Sequence, residues 1–289
     1  MKKLRLYILI SLALALIGCQ GCVDELVIDV SSRANPWTHL RVNNDPDNFQ
    51  FAIVADRTGG MREGIFEDAV WKVNELQPEF VMCIGDLIEG YTEDEEEIER
   101  QWNEFNGIVG EFEMPFFYVV GNHDITNDVM LKNWNRHFGR MYYHFVYRNV
   151  LFLCLDSEDP PRGHEFSNFG DAQLEYFKNV LQENQGVRWT LVFLHQPMWE
   201  YGERTNWAKM EQLLSGRAYT VFAGHEHWYA KAVRDGHNYY RLATTGGSSG
   251  LTGLVDGSFD HIMWVTMTDK GPKVVNLMLD GIFDDNPTK

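Results

Sequence analysis

Five short apolar runs each stop at an Asp, an Asn or a His. Residues 49–55 (FQFAIVA) end at Asp56, and 80–84 (FVMCI) end at Gly85-Asp86. Residues 116–120 (FFYVV) end at Gly121-Asn122-His123-Asp124, residues 187–194 at His195, and 218–223 at Gly224-His225-Glu226-His227. One such ending carries little information, because Asp and Asn are ordinary turn residues. Five in order constrain the fold. Ligands in α/β sheets gather beyond the carboxyl ends of the strands, where residues distant in sequence share one crevice. Asp and Asn oxygens mixed with His nitrogens suit a divalent metal such as Zn, Mn or Fe.

Between these runs lie amphipathic segments. In residues 64–76, Ile65, Ala69, Val73 and Leu76 recur at helical spacing. Further helices are expected over 93–107, 127–138, 171–184 (with Asp171 as a cap) and 205–214. The acidic run at 93–97 reads as a solvated face at a positive helix start. Residues 142–148 and 150–156 read as a hairpin turning at Asn149, and 228–234, 238–243, 259–268 and 273–279 as later strands. The pattern predicts one α/β domain, with two mixed sheets face to face and helices outside.

The N-terminus carries Lys2, Lys3 and Arg5 before an uncharged apolar run at 6–18. A membrane-spanning helix needs about 20 apolar residues, so this run has the length of a secretory signal instead. It ends Leu16-Ile17-Gly18-Cys19, which resembles a bacterial lipobox and makes Cys19 the expected lipidation site. The domain plan is a signal at 1–18, a tether at 19–48, the folded domain at 49–280 and a tail at 281–289. The protein is therefore expected to be exported and lipid-anchored in the bacterial cell envelope, with Gln20 leaning towards the outer membrane. The lipid is its expected membrane contact. The whole chain carries a formal −17 and the processed chain −20, which argues against nucleic acid as a partner. Cys83 and Cys154 sit inside apolar runs and read as buried thiols, so no structural disulfide is expected.

The order D-x-x, GD, GNHD, H-x-P, GHEH, from Asp56 to His227, resembles the calcineurin-like metallophosphoesterases. That resemblance implies a four-layer α/β sandwich, two mixed β-sheets flanked by helices, holding two divalent metal ions (Mn, Fe, Zn or Mg). By position, Asp86 would bridge both metals. Asn122, His195 and His225 would complete one site, and Asp56 and His227 the other. His123 would sit beside the substrate, stabilising the phosphate or protonating the leaving oxygen, with Glu89 orienting it and Asp124 supporting the loop. The implied reaction is hydrolysis of a small phosphate mono- or diester by a metal-bound hydroxide.

The first motif departs from the family's D-x-H, reading Asp56-Arg57-Thr58. Arg57 could clamp a phosphate oxygen in catalysis, or with Thr58 shape the Gly59-Gly60 turn. The first metal site is expected to be weaker, and this substitution motivates the competing expectation of a non-catalytic ligand-binding lipoprotein. Gly246-Gly247-Ser248-Ser249-Gly250 could line the mouth of the site or simply connect strands. Trp199, Tyr201, Trp228 and Tyr229 lie next to ligand positions and read first as core packing. His137, His144, His164, His237 and His261 fall outside the pattern.

Overall fold

The computed structural model describes residues 36–159 and 168–282. The expected signal, Cys19, the lead-in as far as residue 35, His164 and residues 283–289 of the tail lie outside the described residues. Residues 36–45 belong to a unit of their own, largely exposed and without helix or strand.

From residue 46 onward, strands and helices follow the predicted order. They are β1 (Phe49–Val54), α1 (Ile65–Leu76), β2 (Val81–Cys83), α2 (Glu95–Val109), β3 (Phe116–Phe117) and α3 (Asp128–His137). Next come β4 (Tyr143–Tyr147), β5 (Val150–Cys154), α4 (Asp171–Glu183), β6 (Trp189–Phe193), α5 (Trp207–Leu214) and β7 (Tyr219–Ala223). β8 (Ala230–Arg234), β9 (His237–Arg241), β10 (His261–Thr268) and β11 (Gly271–Met278) close the domain. One sheet has the order β11-β10-β1-β2-β3, the other β4-β5-β6-β7-β9-β8. In the first sheet β1, β2 and β3 run parallel, while β10 and β11 add antiparallel on the β1 side; in the second, parallel β5, β6, β7 and β9 are flanked by antiparallel β4 and β8. The fold is thus the expected α/β sandwich of two mixed sheets flanked by helices.

Period-2 alternation in β5 shows how the layers divide. Val150, Phe152 and Cys154 join the core shared with the first sheet, including Phe51 and Met82. Leu151 and Leu153 join the second core, with Phe177 and Leu181 of α4 and Met210 of α5. Aromatic rings fill the gap between the sheets. Phe152 lies 5.5 Å from both Phe51 and Phe80, and 4.5 Å from Phe145.

Local chemistry sets the element ends. Asp94, within the acidic run, caps α2 by accepting the amides of Glu96 and Glu97. Asn127 caps α3 in the same way. Asp171 is not a cap: it is the first residue of α4, behind Gly170. Arg148 and Asn149 both take positive φ, giving β4–β5 a two-residue hairpin turn. β3 is shorter than the apolar run predicts, because the Val119 amide donates to Cys83 Sγ at 3.0 Å and leaves the ladder. Cys83 and Cys154 are buried free thiols.

Two stability tests follow from this packing. Phe152→Ala should destabilise the domain by about 3–5 kcal/mol in urea unfolding. The fully buried His261 accepts the Ala243 amide at Nε2 and pairs with Asn276 Oδ1 at Nδ1. Burial holds its pKa down to about 4, against the Asn276 hydrogen bond and the charge of Asp260. The unfolded chain therefore binds a proton that the folded one refuses. The resulting stability is complete above about pH 6.5 and is lost as pH falls towards 4. Between about pH 7 and pH 4, wild type should lose roughly 3 kcal/mol more than His261→Gln.

Candidate metal centre

Asp56 follows β1, Asp86 follows β2, and Asn122 and His123 lie beyond β3. His195 follows β6, and His225 and His227 lie beyond β7. All are at carboxyl ends, so the two sheets meet in one crevice. Asp86, His195 and His225 form one metal-capable cluster, and Asp56, Asp86 and His227 form another. Asp86 belongs to both. Among the described residues these are the two such clusters.

Contacts behind the ligands fix their orientation. His195 Nδ1–H donates to the Ile84 carbonyl at 2.8 Å. That leaves Nε2 facing Asn122 Oδ1 at 2.9 Å, Asp86 Oδ2 at 3.1 Å and His225 Nδ1 at 3.1 Å. His227 Nδ1–H donates to the Ser248 carbonyl at 2.8 Å, leaving Nε2 3.7 Å from Asp56 Oδ1. The Gly246–Gly250 loop is thus part of the site, and the Gly247 amide donates to the Asp56 carbonyl at 2.8 Å. Asp124 accepts the amides of Asp86, Leu87, Ile88 and Gly121 at 2.8–3.3 Å, tying the ends of β2 and β3 together.

Backbone strain concentrates here. Asp56, Asp86, His225 and His227 all have positive φ, of 45°, 58°, 75° and 56°. Such conformations cost about 1–3 kcal/mol each in non-glycine residues and persist only where the surroundings enforce them. Gly121 and Gly224 allow the approach, since a Cβ on either would collide with the carboxylate of Asp86 or of Asp56.

Among the described residues, no Lys or Arg pairs with the carboxylates of the crevice. Burial pushes the Asp56 carboxyl up to about 6. Burial and the charge of Asp86 push Asp124 up to about 7. His195 also rises, for a different reason: burial opposes its proton, but Asp86 and Asp56 push it up to about 10. Burial, with the charge of His195, holds His225 down to about 3. Asp56 Oδ2 is buried with no hydrogen-bond partner. An unpaired carboxylate oxygen beside oriented imidazole nitrogens is a donor set that fits divalent cations.

Other candidates take different places. His123 Nδ1–H donates to the backbone carbonyl of Glu89 at 2.7 Å, and its Nε2 lies 4.0 Å from Asp86 Oδ2. The Glu89 carboxylate does not orient His123. It accepts the Met61 amide at 2.7 Å and the Gly60 amide at 3.2 Å, shaping the first-motif turn. Arg57 is no clamp in this structure: its guanidinium is buried, donating to Glu104 at 2.6 Å and to the Leu87 carbonyl at 3.2 Å. Among the described residues, no His besides His195, His225 and His227 belongs to either cluster. His137 meets Glu99, His144 meets Tyr176, and His237 stacks on Tyr219. Trp199 is core, against Tyr239. The Tyr201 hydroxyl donates to Glu226, Arg241 stacks on Trp228, and Tyr229 lies against Phe259.

Two residues near the centre escaped the sequence reading. Glu158, beyond β5, is buried close enough to His195 and Asp86 to feel both charges, and burial pushes its carboxyl up to about 7. Its signal was there, since Asp156-Ser157-Glu158 is a sixth polar ending on an apolar run. Tyr91 accepts the Asn122 side-chain N–H at 2.8 Å and belongs to no motif.

Comparison with known proteins decides the family. Residues 38–229 match the family model for calcineurin-like phosphoesterases. The chain belongs to the calcineurin-like phosphoesterase family. Among solved structures, this phosphoesterase resembles a dimetal phosphatase from Danio rerio (14% identity, TM-score 0.54, covering 80% of this chain and 99% of that one). It also resembles the purple acid phosphatase PPD1 from yellow lupin, Lupinus luteus (12% identity, TM-score 0.61, covering 82% and 52%). A third neighbour is GAP50, the anchor in the inner membrane complex of Plasmodium (16% identity, TM-score 0.60, covering 82% and 86%). At these identities the likeness is one of fold. No curated protein sequence matches the phosphoesterase.

The geometry yields a structural test. Gly224→Ala should displace Asp56, lower the amount of divalent metal the protein binds, and destabilise the protein by roughly 1–3 kcal/mol. Elemental analysis with urea unfolding reads both effects.

Proposed function

We propose that this protein hydrolyses a small phosphate mono- or diester at the crevice between its sheets. The observation that carries the reading is the pair of metal-capable clusters sharing Asp86. Asp86, Asn122, His195 and His225 would hold one ion, and Asp56, Asp86 and His227 the other. When bound, two such ions would supply Lewis-acid charge to a phosphoryl oxygen and activate a water.

The chain's own residues supply proton transfer and orientation. With Nδ1–H fixed on the Glu89 carbonyl, His123 has Nε2 available on the side of Asp86. As an imidazolium it donates that Nε2 proton to the departing ester oxygen, a role worth about 10²–10⁴ in rate. The Ser248 and Ile84 carbonyls hold the His227 and His195 imidazoles with their Nε2 atoms presented. Thr58 stands in place of the first-motif His, so three protein ligands serve the first site and four the second. That imbalance makes the first site the weaker one and keeps a second reading in play, a ligand-binding protein without turnover.

The acidic surface disfavours long polyanions and leaves a small phosphoester as the substrate class. We further infer export, with lipid attachment at Cys19 anchoring the domain in the cell envelope. Supporting this are the positive start and the Leu16-Ile17-Gly18-Cys19 sequence.

His123→Ala should retain both metals yet lower kcat on an aryl phosphate by about 10²–10⁴. Activity equal to wild type in that variant would remove His123 from the mechanism. A folded, metal-loaded wild type that turns over neither mono- nor diesters would favour the binding reading.

A further inference from the structure

Tyr91 combines features that ordinary packing does not require. It is 56% exposed, yet its ring meets the His123 ring edge-on at 4.7 Å. Its hydroxyl accepts the Asn122 Nδ2–H at 2.8 Å, while Asn122 Oδ1 faces His195 Nε2 at 2.9 Å. Its backbone has a φ of 50°, in the left-handed region. An aromatic residue there is an outlier. Both sides of it are pinned: the Gly90 amide donates to Gln101 Oε1 at 2.9 Å, and Asn127 Nδ2–H donates to the Thr92 carbonyl at 2.9 Å. The loop thus spends backbone strain to hold one exposed ring between a metal-ligand candidate and the candidate acid.

We propose that Tyr91 is a positioning residue for Asn122 and that its ring receives the leaving group of the substrate. The first part follows from amide chemistry. An Asn side chain has an acceptor on one side and donors on the other. Tyr91 occupies the donor side, so Oδ1 stays directed at the cluster with His195. Outer partners of this kind typically change metal affinity by 10–100-fold. The second part rests on the hydrolase reading above. If His123 protonates the leaving oxygen, the group attached to that oxygen lies beside His123, where the Tyr91 ring is. A flat apolar surface at that place favours a leaving group with a planar ring, such as an aryl or nucleoside ester, over a small alkyl one.

Wild type and two variants of the full chain, Tyr91→Phe and Tyr91→Leu, separate the parts once checked for matching circular dichroism. Calorimetric titration with Mn reads the positioning role without turnover. Tyr91→Phe should weaken one of the two ions by about tenfold. Binding of phenylphosphonate and methylphosphonate to the Mn-loaded proteins reads the ring. Wild type and Tyr91→Phe should prefer phenylphosphonate by about five- to tenfold, and Tyr91→Leu should lose that preference. Mn affinity unchanged in Tyr91→Phe overturns the positioning role. Equal binding of the two phosphonates by wild type, or an undiminished preference in Tyr91→Leu, overturns the leaving-group role. Hydrolysis is scored separately: failure of wild type to turn over any phosphoester overturns the hydrolase reading, while the two binding measurements still decide Tyr91.

Discussion

Three carboxylates, Asp56, Asp86 and Asp124, are buried at neighbouring strand ends, and no Lys or Arg pairs with any of them among the described residues. Burying a charge costs several kcal/mol unless it is paired and hydrogen-bonded. The structure answers with backbone amides and imidazoles. Asp124 takes four amides, the His225 amide donates to Asp56, the His123 amide donates to Asp86, and His195 lies against Asp86. Burial raises the carboxyls of Asp56 and Asp124, and the carboxylates around His195 raise its imidazole, so each shift moves towards holding a proton. Divalent cations would balance these charges without protons.

This electrostatic demand explains why the local geometry is strained. Left-handed backbone at Asp56, Asp86, His225 and His227 turns the chain sharply as each strand ends. Glycine at 121 and 224 lets the carboxylates pass close to the neighbouring backbone. The aromatic layer between the sheets, centred on Phe51, Phe80 and Phe152, holds the two sets of strand ends in register. The centre is therefore a property of the whole sandwich, since ligands come from both sheets.

Much of this was legible in the sequence because burial and chemistry alternate in a simple way along the chain. Apolar runs mark the central strands, and the polar residue that stops each run marks the crevice. What escaped has physical reasons. Asp156-Ser157-Glu158 ends β5 as the candidate ligands end their strands, but it lies in none of the motifs that carry the family resemblance. Tyr91 is placed by hydrogen bonds from distant helices, through Gln101 and Asn127, which no local spacing reveals. Glu89 was assigned by position, and Arg57 by its charge and its place beside Asp56. The structure turns the Arg57 guanidinium to Glu104, and engages Glu89 through its carbonyl with His123 and its carboxylate with the Gly60 and Met61 amides.

The central claim is that Asp86 joins two ion sites, one of them built without the usual first-motif His. Anomalous scattering from crystals grown with Mn tests it most directly. The account predicts two peaks about 3.5–4 Å apart, one against Asp56, Asp86 and His227, the other against Asp86, Asn122, His195 and His225. A single peak, or peaks that do not share Asp86, would contradict it.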